Sequence, residues 1–167
     1  PTMAYDAFLD LGADIPGEST AEGMKGKIEI YSFSWGASNP TTIGSASTGV
    51  AAGKVSVSSF NVMKKTDKAS PLLFQNCCQG QHIDKVIVTL RKAGGKAGQK
   101  PFLTYTFTTV MVDSIQWSGS SGGDDTPTES LSLAFGKVEI EYMIQNADGS
   151  LAKGGQAMWD LTKVSAS

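Results

Sequence analysis

Cysteine, histidine and charge are scarce in this chain, and each scarcity removes a class of function. The 167 residues include two cysteines and one histidine. One imidazole and two adjacent thiols, Cys77 and Cys78, cannot supply the four ligands of a structural zinc site. Two neighbouring cysteines are no disulfide framework either; they read as small core residues. Charged residues make up 18%, below the roughly 25% usual for soluble domains. The net charge of −2 provides no basic footprint for nucleic acid. Long hydrophobic runs are missing, so no membrane-spanning helix is expected. The opening residues, Pro1 to Asp6, have neither the basic start nor the apolar stretch of a signal peptide.

What is present is glycine, 19 residues, and a hydrophobic share of 40%. That share and length suit a single domain over 1–167 with a full core. One stretch reads as a bounded helix, about 70–79. Ser70 is placed to accept from the backbone N–H groups that follow it, Pro71 falls at the first helical position, and Gly80 can adopt the left-handed conformation that ends a helix. Leu73 and Cys77 share one face by their spacing and are expected to pack inward. Nearly everything else alternates with the period of a strand.

The alternation changes phase inside several of these strands. In Lys27–Trp35, Ile28 and Ile30 take one face and Tyr31, Phe33 and Trp35 the other. In Lys54–Lys65 the change falls at Ser58-Ser59, between Val55/Val57 and Phe60/Val62. After Pro101, Leu103, Tyr105 and Phe107 are followed by Val110 and Val112 on the opposite face. In Glu129–Ile144 the change falls at Gly136. An extra residue, or a bend, moves later side chains to the other face, and strands that bend in this way can serve two packed sheets. The expected fold is therefore mainly β: a compact β-barrel of two packed antiparallel sheets with one flanking helix. Tyr5–Leu11 and His82–Lys92 are further strands. Ala37–Gly53 reads as a loop of Gly, Ser and Thr, and the tail from Gln145 as turns anchored by Trp159.

Catalytic chemistry finds no foothold. His82 has no convincing nucleophile partner: Gly44-Ser45-Ala46-Ser47-Thr48 lacks the closing glycine of a Gly-x-Ser-x-Gly elbow, and Gly119 to Gly123 reads as a plain polar loop. Asp124, Asp125 and Glu129 lack calcium-loop spacing. Gly94-Gly95 between Lys92 and Lys96 lacks the phosphate-loop pattern. The aromatics Phe33, Trp35, Tyr105 and Phe107 lack the interleaved Arg and Lys of a base-stacking surface. No enzyme activity and no cofactor are expected.

Several short stretches, taken in order, carry a resemblance: Gly17-Glu18-Ser19, Ser34-Trp35-Gly36, Gly53-Lys54-Val55, Lys64 with Asp67, Ser70-Pro71, Cys77 with Gly80, Leu90-Arg91-Lys92-Ala93-Gly94, and Thr128-Glu129. The chain resembles the haemolysin-coregulated proteins, the tube subunits of the bacterial type VI secretion system. That resemblance implies a β-barrel of two sheets with a flanking helix. It implies hexameric rings that stack into a tube inside a contractile sheath, tipped by a spike protein, with small effector cargo in the lumen. It further implies a bacterial cytoplasmic protein that is exported without a cleaved signal peptide.

The residues suit such a role. Ser32 and Ser34 alternate with Phe33 and Trp35, and Thr104, Thr106 and Thr108 with Leu103, Tyr105 and Phe107. Both series offer polar, uncharged faces. Ser32 and Ser34 are the lumen-facing candidates. The resemblance makes the Ala37–Ala52 segment a contact with the next ring, with Ser38, Asn39, Thr41, Thr42, Ser45, Ser47 and Thr48 as candidates. The alternative is a monomeric β-barrel that binds a small ligand inside.

Overall fold

Period-two alternation becomes strand pairing along most of the chain. A computed structural model describes residues 5–43, 50–92, 99–123 and 125–163. In chain order the elements are β1 (Asp6–Asp10), β2 (Ile28–Ile30), β3 (Ser32–Ser34), β4 (Ala37–Ser38), β5 (Thr41–Ile43), β6 (Val50–Ala52), β7 (Ser56–Val57), β8 (Phe60–Lys65), α1 (Ser70–Gln79), β9 (His82–Lys92), β10 (Lys100–Ser118), β11 (Thr128–Gln145) and β12 (Leu151–Asp160). Every described pairing is antiparallel.

The phase changes are the corners of the fold. The main sheet has eight strands in the order β2-β1-β9-β10-β11-β8-β3, with β12 also on β11. β11 pairs with β10 along its length. Its other edge is divided: Thr128–Leu133 pair with β8 and Lys137–Gln145 with β12. The division straddles Gly136, and opposite it Thr109 has a φ of 55°. A left-handed conformation at a β-branched residue is strained, and here it turns β10 so that Phe107 and Val110 both reach the core. β10 and β11 thus each serve two layers, as the alternation predicts. The two ends of the sheet order are also neighbours in the chain. β2 and β3 are separated only by Tyr31, whose N–H donates to Met63 O at 2.8 Å, so the sheet rolls back towards itself.

The core lies between the layers. Leu9, Ile28, Phe60, Val62, Val86, Val88, Phe107, Leu131 and Leu133 are all buried. Around Phe60 the rings interlock: it stacks on Phe33 at 5.6 Å and tilts against Phe107 at 4.9 Å, while Trp35 meets Tyr105 edge-on at 5.2 Å. Tyr31 is a correction to the expected face. It does not join Phe33 and Trp35; the break between β2 and β3 leaves it 57% exposed.

Two segments are more ordered than their composition predicts. Ala37–Gly53 is not a plain loop: β4 pairs with β7 and β5 with β6. Ser58 clamps its base, accepting from Gly36 N at 2.9 Å and donating to Gly36 O at 3.2 Å. Gly53 is required further out, because a Cβ there would lie 2.6 Å from Pro40 O. The tail has its turn at Asp148-Gly149, where Gly149 N donates to Asn146 O at 3.0 Å, but from Leu151 it forms β12. Gly154 sits at an irregularity in the β11–β12 register, where a Cβ would fall 2.7 Å from the Tyr142 ring. A glycine pair that reads as a turn is here a bulge inside a strand.

The helix closes an edge. β9 accompanies β10 only as far as Met111, and α1 lies against the remainder. Phe74 packs on Trp117 with centroids 5.7 Å apart, and the Cys77 thiol lies 3.8 Å from Asp113 O. Covering a free edge in this way suppresses unwanted strand pairing. Leu73 is fully buried, as expected. Cys77 is half-buried and packs against the core, but Cys78 is exposed, so the expectation of two core thiols is corrected at Cys78. Only one apolar row of a ten-residue helix can face the barrel. Gly80 ends the helix in the left-handed conformation, φ 65°. Ser70 does not cap it. Ala69 occupies the N-cap position, without a side-chain cap bond, and the Ser70 hydroxyl is used elsewhere.

Candidate functional surface

Ser32 and Ser34 are both exposed on β3, and strand register extends them into a surface. Ser34 is opposite Asn61, Asn61 opposite Ser132, and Ser132 opposite Ser114. One step along, Ser32, Met63, Ser130 and Gln116 form the parallel row. These two rows cross four strands and carry no charge. Charge appears only at their margins, at Asp113 and at Lys65, whose ammonium lies 5.8 Å from the centre of the Tyr31 ring. Asn61 Nδ2 donates to Ser34 O at 3.4 Å and to Ser59 O at 3.2 Å. Ser59 in turn donates to Asp113 at 2.6 Å. Asn61, Ser114, Gln116, Ser130 and Ser132 are missing from the sequence-based candidates. Their signal is the same alternation: Ser130 and Ser132 flank Leu131 just as Ser32 and Ser34 flank Phe33.

The threonine series is a correction. Thr104, Thr106 and Thr108 share an outer face, but they stand opposite Glu141, Glu139 and Lys137. That face is charged. Among the ring-contact candidates, Ser38 is exposed within β4, Asn39 in the link between β4 and β5, and Thr41 within β5. Thr42 is placed by its backbone pairing with Ala51. Ser45, Ser47 and Thr48 lie outside the described residues.

Directly behind the neutral rows is a buried ion cluster. Lys64 and Glu129 point inward from β8 and β11, opposite one another in register, and both are fully buried. Lys64 Nζ donates to Lys65 O at 3.1 Å, Asp67 Oδ1 at 2.9 Å and Ser70 Oγ at 3.1 Å. That uses its three protons, and Glu129 Oε1 lies 2.9 Å away as a charge contact. Trp117 Nε1 donates to Glu129 Oε2 at 2.7 Å. One cluster therefore ties β8, β10, β11 and the start of α1 together, and it accounts for the Ser70 hydroxyl.

Burial alone would raise the Glu129 carboxyl. The Ser70 hydroxyl and the Lys64 ammonium beside it outweigh that and hold it below its ordinary value of 4.5. A carboxyl depressed in the folded state stabilises the fold above its ordinary value, and loses that contribution as pH falls through the depressed one. Thermal melts at fixed protein concentration should therefore show Tm falling as pH drops below 4.5. The decline should be smaller in a Lys64→Met/Glu129→Gln double variant. An identical acid profile in that variant would remove Glu129 as a cause.

Comparison with known proteins follows the same outline. Residues 8–142 match the family model described as type VI secretion system effector, Hcp. Protein hcp1 of Pseudomonas aeruginosa is 37% identical over 148 residues, covering 89% of each chain. A solved structure of a type six secretion system protein superposes with a TM-score of 0.91 at 34% identity, over 98% of this chain and 100% of that one. The crystal structure of Hcp1 from Salmonella typhimurium superposes with a TM-score of 0.75 at 32% identity, over 99% and 100%.

Proposed function

The chain belongs to the Hcp family of type VI secretion system proteins, and from that membership we propose that it is a structural subunit of the secretion tube. Six copies close a ring, rings stack, and the rows from Ser32 and Ser34 across to Gln116 and Ser114 line the channel. The observation that carries this reading is that neutral four-strand face. A channel wall must release what it touches. Hydroxyls and carboxamides exchange hydrogen bonds with water at little net cost, whereas a wall of one charge would retain oppositely charged cargo. β3 stands at the border of the face, and no described strand pairs with its outer edge. Repeated head-to-tail contact between unlike surfaces is the geometry that closes rings.

The β4–β7 and β5–β6 arm, with Ser38, Asn39, Thr41, Thr42, Ser45, Ser47 and Thr48, is the contact to the next ring. The spike protein, the sheath and small effectors are the other partners. The protein is held in the bacterial cytoplasm and exported on firing. The small-ligand barrel is the weaker reading, because Phe33, Trp35, Phe60, Tyr105, Phe107 and Phe135 fill the interior with rings in mutual contact.

Light scattering tests the ring. The expected mass is about six times the 17.5 kDa of the chain, and a monomer at high concentration overturns the proposal. Ser34→Gln tests the wall. An exposed substitution of this kind shifts stability by no more than about 0.5 kcal/mol. Ring mass should be unchanged while co-purified cargo falls. Loss of the ring would place Ser34 in a contact between copies instead.

A further inference from the structure

The neutral face has two unlike borders. On one side stands β3, and no described strand pairs with its outer edge. On the other side, β9 accompanies β10 only as far as Met111. The stretch that presents Ser114 and Gln116 is flanked by α1 instead, through the Phe74–Trp117 contact at 5.7 Å and the approach of the Cys77 thiol to Asp113 O at 3.8 Å. A ring with this face towards its axis brings the β3 border of one copy against the α1 border of the next.

The α1 border has the make-up of a covered surface. The helix carries no Asp, Glu, Lys or Arg in its ten residues. Leu73 is buried, while Pro71, Phe74, Gln75 and Cys78 are exposed, and their three- and four-residue spacing sets them in one outward stripe. A helix with water on its outer side ordinarily carries charged residues there. Phe74 stays 49% exposed although it packs on Trp117, which is itself 39% exposed. The Trp117 ring is held in place, because its N–H donates to the buried Glu129 at 2.7 Å. An uncharged surface around a fixed aromatic pair is the composition of an interface centre.

At the opposite border β3 offers the open edge of Ser32–Ser34, and Tyr31 is 57% exposed at the corner between β2 and β3. Resting on the ring reading above, we propose that the outward stripe of α1, with Phe74 and Trp117 at its centre, docks against Tyr31 and the β3 edge of a second copy of this chain. The neutral face fixes the occupant. It ends at α1 on one side and at β3 on the other, so the β3 border of another copy continues it without a break. Neither the helix stripe nor the strand edge carries a charge with which to select a charged partner. A helix face and a strand edge are unlike surfaces, so each copy uses both and the contact repeats head to tail.

Light scattering on the full chain reads the contact. Gln75→Arg places a charge in the stripe and leaves the Phe74–Trp117 pair intact, and burying an unpaired charge is unfavourable. The mass should fall from about six chains to one, with the far-ultraviolet circular dichroism unchanged. Phe74→Arg should do the same. A monomeric wild type would overturn the ring reading itself, whereas a wild-type ring that both variants retain overturns this contact alone. Cross-linking identifies the surface opposite α1. In a Ser32→Cys variant, a short bis-maleimide should join the introduced thiol to Cys78 of the next copy. Unlike sites link in series, so covalent ladders of up to about six chains should appear, and adding Cys78→Ser should abolish them. Intact rings that give only dimers, no products, or a ladder indifferent to Cys78→Ser overturn the pairing of α1 with β3.

Discussion

Lys64→Met should destabilise the protein by about 3–5 kcal/mol, the range for breaking a buried pair and leaving one charge behind. Lys64 and Glu129 are fully buried, so water cannot replace the lost ammonium. Glu129 would keep the Trp117 N–H at 2.7 Å but no cation, and the Asp67 and Ser70 oxygens would lose the proton donor they share. Chemical denaturation at fixed protein concentration measures the loss. Glu129→Gln in the same background should recover a large part of it. The neutral amide oxygen still accepts from Trp117, and no unpaired charge remains. A double-mutant cycle isolates the coupling between the two side chains. If Lys64→Met costs less than about 1 kcal/mol, the pair is effectively solvated and the cluster does not anchor α1.

Phe60→Ala should cost about as much, 3–5 kcal/mol by the usual range for a buried phenylalanine, through a different mechanism. Phe60 is fully buried on β8, where it is stacked on Phe33 and tilted against Phe107. Phe33 comes from β3 and Phe107 from the part of β10 before its bend, so this one ring packs between the two layers. Removing it opens a cavity at their junction and frees β3, the strand that presents Ser32 and Ser34. The melt should weaken together with the near-ultraviolet circular dichroism of the neighbouring aromatic rings. Phe60→Leu should cost less, because part of the volume is kept. A loss for Phe60→Ala under about 1 kcal/mol would mean that the layers are held chiefly by backbone pairing.

The long strands, the helix and the corners were legible because each follows from a local rule. His82–Lys92 was bounded correctly by its alternation. The change of phase at Ser58-Ser59 falls in the gap between β7 and β8, and that at Gly136 falls where β11 exchanges β8 for β12. Where the reading failed, a local rule was overridden by contacts distant in sequence. Gly154-Gly155 carries turn chemistry, yet pairing with Tyr142 and Met143 draws it into β12. Ser70 has cap chemistry, yet its hydroxyl is engaged by Lys64, six residues earlier. The Ala37–Gly53 arm has too little apolar content to show a strand period, yet backbone pairing forms β4–β7 and β5–β6 within it. Thr104, Thr106 and Thr108 looked neutral only because their neighbours, Lys137, Glu139 and Glu141, are 29 or more positions away.

By itself, the scarcity of cysteine, histidine and charge determined which functions are not expected of this chain, and the phase of its strands determined a mainly β fold with bends. Those properties depend on residue type and on spacing within one element. The tertiary structure alone decided which faces are neutral and which charged, and which strand edge α1 covers. A face or an edge belongs to several strands at once, and strand register, which no single segment encodes, determines what each residue stands beside.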